Sequence, residues 1–158
     1  MIVLGIDTGL LNTGWGVIEH NGSSLRYIAN GTIKTSSKDE LSSRLKKIYE
    51  ELDQVIKKYE PEFVSVEDTF VNQNPKTSLK LGQARGVALL VPAMNGLPVM
   101  EYTPNLVKKS VVGVGHADKN QILTMIKILL PTADKIDSEH SADALAIAIA
   151  HTTNYRRF

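Results

Sequence analysis

The sequence predicts an α/β protein, a five-stranded mixed sheet with helices on both faces, in one domain spanning residues 1–158. Three observations lead there. Short β-branched runs crowd the stretch up to Lys34 with only tight connections between them. Apolar stripes at helical spacing then alternate with two further apolar runs. The remainder carries helical patterning alone. Closely spaced strands make an antiparallel meander, whereas helix–strand–helix–strand requires parallel strands joined by right-handed crossovers.

Each element has its own signal. Ile2–Ile6 is a buried strand, followed at once by Asp7 and Gly9. Trp15–Glu19 and Leu25–Lys34 are the next two strands, with Asn21-Gly22 marking a turn and Asn30-Gly31 a bulge or turn. Ser37-Lys-Asp-Glu40 matches a capping box. Leu41, Leu45, Ile48, Leu52, Val55, Ile56 and Tyr59 then form one apolar helical stripe that stops before Pro61. Phe63–Val66 is the fourth strand and ends at Glu67-Asp68. A helix from Pro75 to Asn95 follows, bent near its end by Pro92. Pro98–Tyr102 is the fifth strand, and Pro104–Val112, Lys119–Leu130 and Glu139–His151 are helices. The last is rich in Ala and Ile on most faces, which predicts burial. The first, fourth and fifth strands should be parallel, with a ligand site at their carboxyl ends.

Composition narrows the function. The 158 residues are 42% hydrophobic and 22% charged, which excludes a disordered chain. Cysteine is absent, so disulfides, thiolate metal sites and a Cys nucleophile are excluded; a reducing, cytoplasmic setting is expected. The start lacks a signal-peptide pattern and no apolar stretch is long enough to span a membrane, so no membrane association is expected. Lys+Arg number 18 against 17 Asp+Glu, but the charge is segregated. Between residues 76 and 119, Lys76, Lys80, Arg85, Lys108, Lys109 and Lys119 face only Glu101 and Asp118. Basic surface beside an acidic cluster suits a metal enzyme acting on a polyanion.

The acidic cluster is assembled from distant sequence. Asp7 and Glu67 end two strands expected to be neighbours, and His140 and Asp143 lie three residues apart, on one helical face. A helix crossing the strand ends would unite all four. Crowded carboxylates take up protons unless a cation neutralises them. An oxygen-rich set suits Mg²⁺ or Mn²⁺, with the imidazole favouring Mn²⁺. Two such ions, roughly 3.5–4 Å apart, can clamp the attacking and leaving oxygens of a phosphodiester.

The sequence resembles the RuvC family of Holliday-junction resolvases, which have the ribonuclease H-like fold. The carriers are Gly5-Ile-Asp-Thr-Gly9 with Gly14-Trp-Gly16, Val66-Glu-Asp-Thr-Phe70 and Ser78-Leu-Lys-Leu-Gly-Gln-Ala-Arg-Gly86. Val111-Val-Gly-Val-Gly115, Ala117-Asp-Lys119 and Ala142-Asp-Ala-Leu-Ala-Ile-Ala148 complete the set. The first block is shared with sugar kinases and chaperone ATPases, but those enzymes need two lobes. The resemblance implies a homodimeric endonuclease that cuts four-way DNA junctions symmetrically with Mg²⁺ or Mn²⁺, two ions per site, in recombination and repair. It implies metal ligation and catalysis by Asp7, Glu67 and Asp143, with His140 where many members carry Asp. It places DNA contacts at Lys108 and Lys119 and a base-stacking aromatic at Phe70. Arg85 is a candidate DNA contact. A branch-migration helicase is the implied partner. The helix after Pro75 is apolar around much of its circumference, so one face is free to serve a second subunit.

Overall fold

The computed structural model describes residues 1–69 and 73–155. Its elements run β1 (Ile2–Asp7), β2 (Asn12–His20), β3 (Leu25–Lys34), α1 (Leu41–Tyr59), β4 (Phe63–Glu67), α2 (Pro75–Met94), β5 (Val99–Tyr102), α3 (Pro104–Val112), α4 (Lys119–Leu129) and α5 (Glu139–Asn154). The strands form one mixed sheet in the order β3-β2-β1-β4-β5. β2 pairs antiparallel with β1 and β3, while β4 runs parallel to β1 and β5 to β4. The expected architecture is therefore the observed one.

Strand alternation divides the core into two layers. Leu4, Ile6, Val17, Ile33, Val64 and Val66 pack against Ile48 and Leu52 of α1 and Ala84 and Ala88 of α2. Val3, Ile18 and Tyr102 face Val107 of α3, Ile122 and Ile126 of α4 and Leu145 and Ile149 of α5. As expected, α5 is buried along most of its length. At its far end His151 is fully buried; its Nδ1 is 2.9 Å from the Tyr102 hydroxyl and its ring stacks on Tyr155. Burial holds this imidazole neutral, down to about 4.

Two local expectations fail for physical reasons. The Ser37–Glu40 capping box does not form. Glu40 is the residue before α1 and makes no side-chain cap, because residues 36–39 are used in turning the chain off β3, with Asp39 N–H donating to the Ser36 carbonyl. Asn30-Gly31 is not a turn. Both residues lie inside β3, opposite Gly16 and Trp15, and the irregularity falls at Val17/Ile18. Gly31 is required there because a Cβ would press into the Trp15 ring. Asn30 instead anchors the approach to α5: its Nδ2 donates to the Lys135 carbonyl at 2.9 Å and its Oδ1 accepts from Asp137 N–H at 2.8 Å. α2 also continues through Pro92 to Met94.

α5 packs directly onto the backbone of the central strands at three glycines. A Cβ on Gly5 would overlap the Ala144 carbonyl, and one on Gly14 would overlap the His140 carbonyl. A Cβ on Gly16 would meet the Leu145 side chain at 2.7 Å. Gly5 and Gly16 are directly paired across β1 and β2, and Gly14 is paired with Asp7. Glycine is thus needed for close approach, and the helix backbone rests on the sheet itself. Gly14→Ala should destabilise the protein by about 1–3 kcal/mol through overpacking, read from the midpoint of urea unfolding. An unchanged midpoint would show that α5 does not rest where the structure places it.

Candidate active site

Register delivers the first two acids to one place. Ile6 of β1 is paired with Val66 of β4, so the next residues, Asp7 and Glu67, end adjacent parallel strands. Both lie on the face covered by α5, in the alternation that sends Ile6 and Val66 to the opposite layer. α5 begins at Ser138, whose side chain caps the helix in a reciprocal arrangement with Ser141. Ser138 Oγ is also bonded to Thr32 Oγ1 of β3 at 2.5 Å. Together with Asn30, this tether sets the first turn of α5 over Gly14, beside Asp7. His140 Nδ1 and Asp7 Oδ2 are 3.1 Å apart as a result. Asp7 is the more enclosed partner, with its side chain 19% exposed against 43% for His140.

Asp143 lies one turn further along the same helix face and is electrostatically coupled to both strand-end acids. Burial, then the neighbouring Asp143 charge, raises Asp7 to about 6, against the lowering effect of His140 and Lys119. Burial, then Asp7 and Asp143, raises Glu67 to about 7. Asp143 is raised mainly by burial, while Lys119, His140 and Lys108 act to lower it. The metal-free site is therefore a group of carboxylates that resist full ionisation.

The two lysines flank this group. Lys108, Lys119, Glu67 and Asp143 line one cleft of about 460 Å³. Lys119 forms an ion pair with Glu139, but both side chains are largely exposed, 71% and 57%, so the pair contributes little. Arg85 lies elsewhere. It bonds Glu101 at 2.5 Å on the sheet face opposite Glu67, with its side chain only 18% exposed. Phe70 falls outside the described residues. Sequence reasoning missed Asn30 and Thr32 as supports of the α5 start. Their signal was weak, being polar residues in a strand otherwise read for its turn.

The family model described as Crossover junction endodeoxyribonuclease RuvC matches residues 3–151. The chain belongs to the RuvC family. The RuvC of Allorhizobium ampelinum is 55% identical over 152 residues, covering 96% of this chain and 89% of that protein. The RuvC of Mesorhizobium japonicum is 54% identical over 149 residues, covering 94% and 88%. Among solved structures, the T. thermophilus RuvC in complex with Holliday junction substrate superposes with a TM-score of 0.91 at 33% identity, covering 97% of this chain and 93% of that one. The RuvC-type, ribonuclease H-like fold is therefore shared along nearly the whole chain.

This RuvC family is metal-dependent, and the donor set fits a divalent cation. Among the described residues, no three His, Asp or Glu side chains are already gathered into a finished cage. The fit lies in their chemistry. Three carboxylates raised by burial or by each other are held in one region, with an imidazole bonded to the most enclosed acid. A dication would remove the penalty that protons otherwise relieve.

That electrostatic strain is measurable. An acid raised in the folded state costs stability once it ionises, so the penalty from Asp7 is absent below about pH 4 and complete above about pH 6. Asp7→Asn should raise metal-free stability near pH 7 by about 1–3 kcal/mol, with the gain vanishing as pH falls toward 4. Thermal unfolding with chelator checks this. Mn²⁺ should raise the melting temperature of the wild type far more than that of the variant.

Proposed function

We propose that Asp7, Glu67, His140 and Asp143 hold two Mg²⁺ or Mn²⁺ ions and hydrolyse one phosphodiester in each of two opposed strands of a four-way junction. The chain, a crossover junction endodeoxyribonuclease, resolves Holliday junctions in recombination and repair. One observation supports the ligand set above all: His140 meets Asp7 at 3.1 Å across 133 residues of sequence, on the helix that also carries Asp143. When bound, the ions would activate water and stabilise the departing 3′ oxygen. A water oxygen forms the new bond to phosphorus as the bond to that 3′ oxygen breaks, leaving a 3′ hydroxyl and a 5′ phosphate.

The protein's own work is positioning and screening. Lys108 and Lys119 stand at the cleft holding Glu67 and Asp143, where they would offset the acids' repulsion of a phosphate's non-bridging oxygens. Phe70, three residues beyond Glu67, supplies a ring for stacking on unpaired bases at the junction centre. A non-catalytic junction binder gains nothing from three carboxylates beside phosphate, which disfavours that reading.

A second copy completes the enzyme. α2 exposes Leu79 (64%), Leu90 (52%) and Met94 (63%), with open space over Gly82 and Gly86. These positions follow a spacing of three and four, forming one apolar stripe with room for close helix approach. Self-pairing of this stripe about a two-fold axis gives a homodimer with two equivalent sites, matching the symmetry of a four-way junction. A branch-migration helicase that delivers junctions is the partner the family resemblance implies, and the cytoplasm is the setting for such DNA work.

Cleavage of synthetic four-way junctions tests the assignment. Wild type should cut with Mg²⁺ or Mn²⁺. Asp7→Asn should lose cutting by several orders of magnitude yet still bind, and His140→Asp should retain it. Wild-type cutting by Asp7→Asn would overturn the ligand set. In a separate binding series, Lys108→Ala or Lys119→Ala should reduce the slope of log affinity against log salt by about 0.7–0.9. An unchanged slope would remove that lysine from the DNA surface.

A further inference from the structure

On the side of the sheet away from the ligand group, a second charged cluster sits at the same edge. Strand alternation sends Glu67 toward α5 and its neighbour Asp68 toward α2. Glu101 of β5 is paired in register with Val66 and shares that α2-facing side. Asp68 N–H donates to the Tyr102 carbonyl at 2.7 Å, extending the β4–β5 ladder past Glu67. Arg85 of α2 reaches both acids. Its Nη2 lies 2.5 Å from Glu101 Oε2 and 3.7 Å from Asp68 Oδ1. The side chain is only 18% exposed, and its Nε has no hydrogen-bond partner among the described residues.

We propose that Arg85 is a positioning residue. Its guanidinium clamps the carboxyl ends of β4 and β5 to α2 and thereby fixes the backbone on which Glu67 stands. It does not contact DNA. This rests on the proposed role of Glu67 as a ligand. A planar fork can span two carboxylates where an ammonium serves one, so lysine is an incomplete substitute. Without a cation, Asp68 and Glu101 repel each other at the strand ends, and Glu67 moves with Asp68. The clamp also ties the ligand group to the helix whose other side carries the apolar stripe.

The test uses the full chain, with Arg85→Gln, Arg85→Lys and the double variant Arg85→Gln/Glu101→Gln. Junction affinity should stay within about threefold of wild type for Arg85→Gln, with an unchanged salt slope, because no counterion is released through Arg85. Single-turnover cleavage should fall about tenfold to a hundredfold, as expected for a displaced ligand. The Mn²⁺ concentration giving half of the metal-induced rise in melting temperature should increase several-fold. Arg85→Lys should lie between wild type and Arg85→Gln, and the double variant should recover part of the lost cleavage by removing the repulsion. Arg85→Lys carries the same comparisons where Arg85→Gln does not fold. A salt slope reduced by about 0.7–0.9 with normal cleavage of bound junction would make Arg85 a DNA contact and overturn the clamp. Lower stability with an unshifted Mn²⁺ requirement would reduce it to ordinary packing and also overturn the proposal. Wild-type chain that neither cuts nor responds to Mn²⁺ would instead sink the ligand assignment itself.

Discussion

Helix α5 reaches Asp7 only because β1 and β2 present it with bare backbone. Gly5 and Gly16 face each other across the strand pair, and Gly14 faces Asp7. Where these residues lie, the helix takes the space that side chains would fill. An ordinary helix packed on a sheet is held off by two layers of side chains. Here one layer is missing under the first turns of α5, so a short imidazole spans the remaining distance to a strand-end carboxylate. The tether from Asn30 and Thr32 to the preceding loop and Ser138 acts in the same direction, fixing where the helix begins. Remove the close approach and the two halves of the site, 133 residues apart in sequence, separate.

The same approach creates an electrostatic cost. Bringing Asp143 down on the sheet buries it beside two other acids, and each becomes harder to ionise. The lowering effects do not outweigh burial for any of the three acids. Lys119 and Lys108 oppose the trend for their neighbours, but Lys119 is largely exposed and screened by water. A fold selected for stability alone would fill this region with apolar side chains. Retaining carboxylates there makes sense if their partners arrive from solution, as divalent ions and a phosphate. The lysines then serve the phosphate and the ions serve the acids.

What could be read from the sequence followed from periodicity. The apolar run before Asp7, the run before Glu67 and the Ala- and Ile-rich helix around Asp143 each placed a carboxylate at a defined point, and adjacency of parallel strands did the rest. The close approach was the part that periodicity does not encode. Gly14-Trp-Gly16 was visible as a motif, but its reason lies in a helix that begins more than a hundred residues later. The failures share that cause. Ser37 and Glu40 have the spacing of a capping box, yet the chain must first turn off β3, so the backbone needed for the box is already committed. Asn30-Gly31 has the composition of a turn, yet Trp15 demands a glycine opposite and the loop before α5 demands an amide. Arg85 looked like a basic residue in a basic stretch; only the sheet register shows that Glu101 and Asp68 are waiting for it.

Strand alternation gives the carboxyl edge of the sheet two different jobs at once. Glu67 and Asp68 are consecutive, so one must face α5 and the other α2. The first face gathers Asp7, His140 and Asp143. The second face meets Arg85, on a helix that also presents Leu79, Leu90 and Met94 to the outside. Any displacement of α2 is therefore felt at Asp68 and, one peptide away, at Glu67. An enzyme that must cut two strands of one junction needs its two sites held at a fixed separation. In the assembly proposed above, with α2 as the pairing helix and Glu67 as a ligand, the two would stand at opposite ends of one ion-paired contact, joined by short, stiff connections. The route passes through a guanidinium and a strand end.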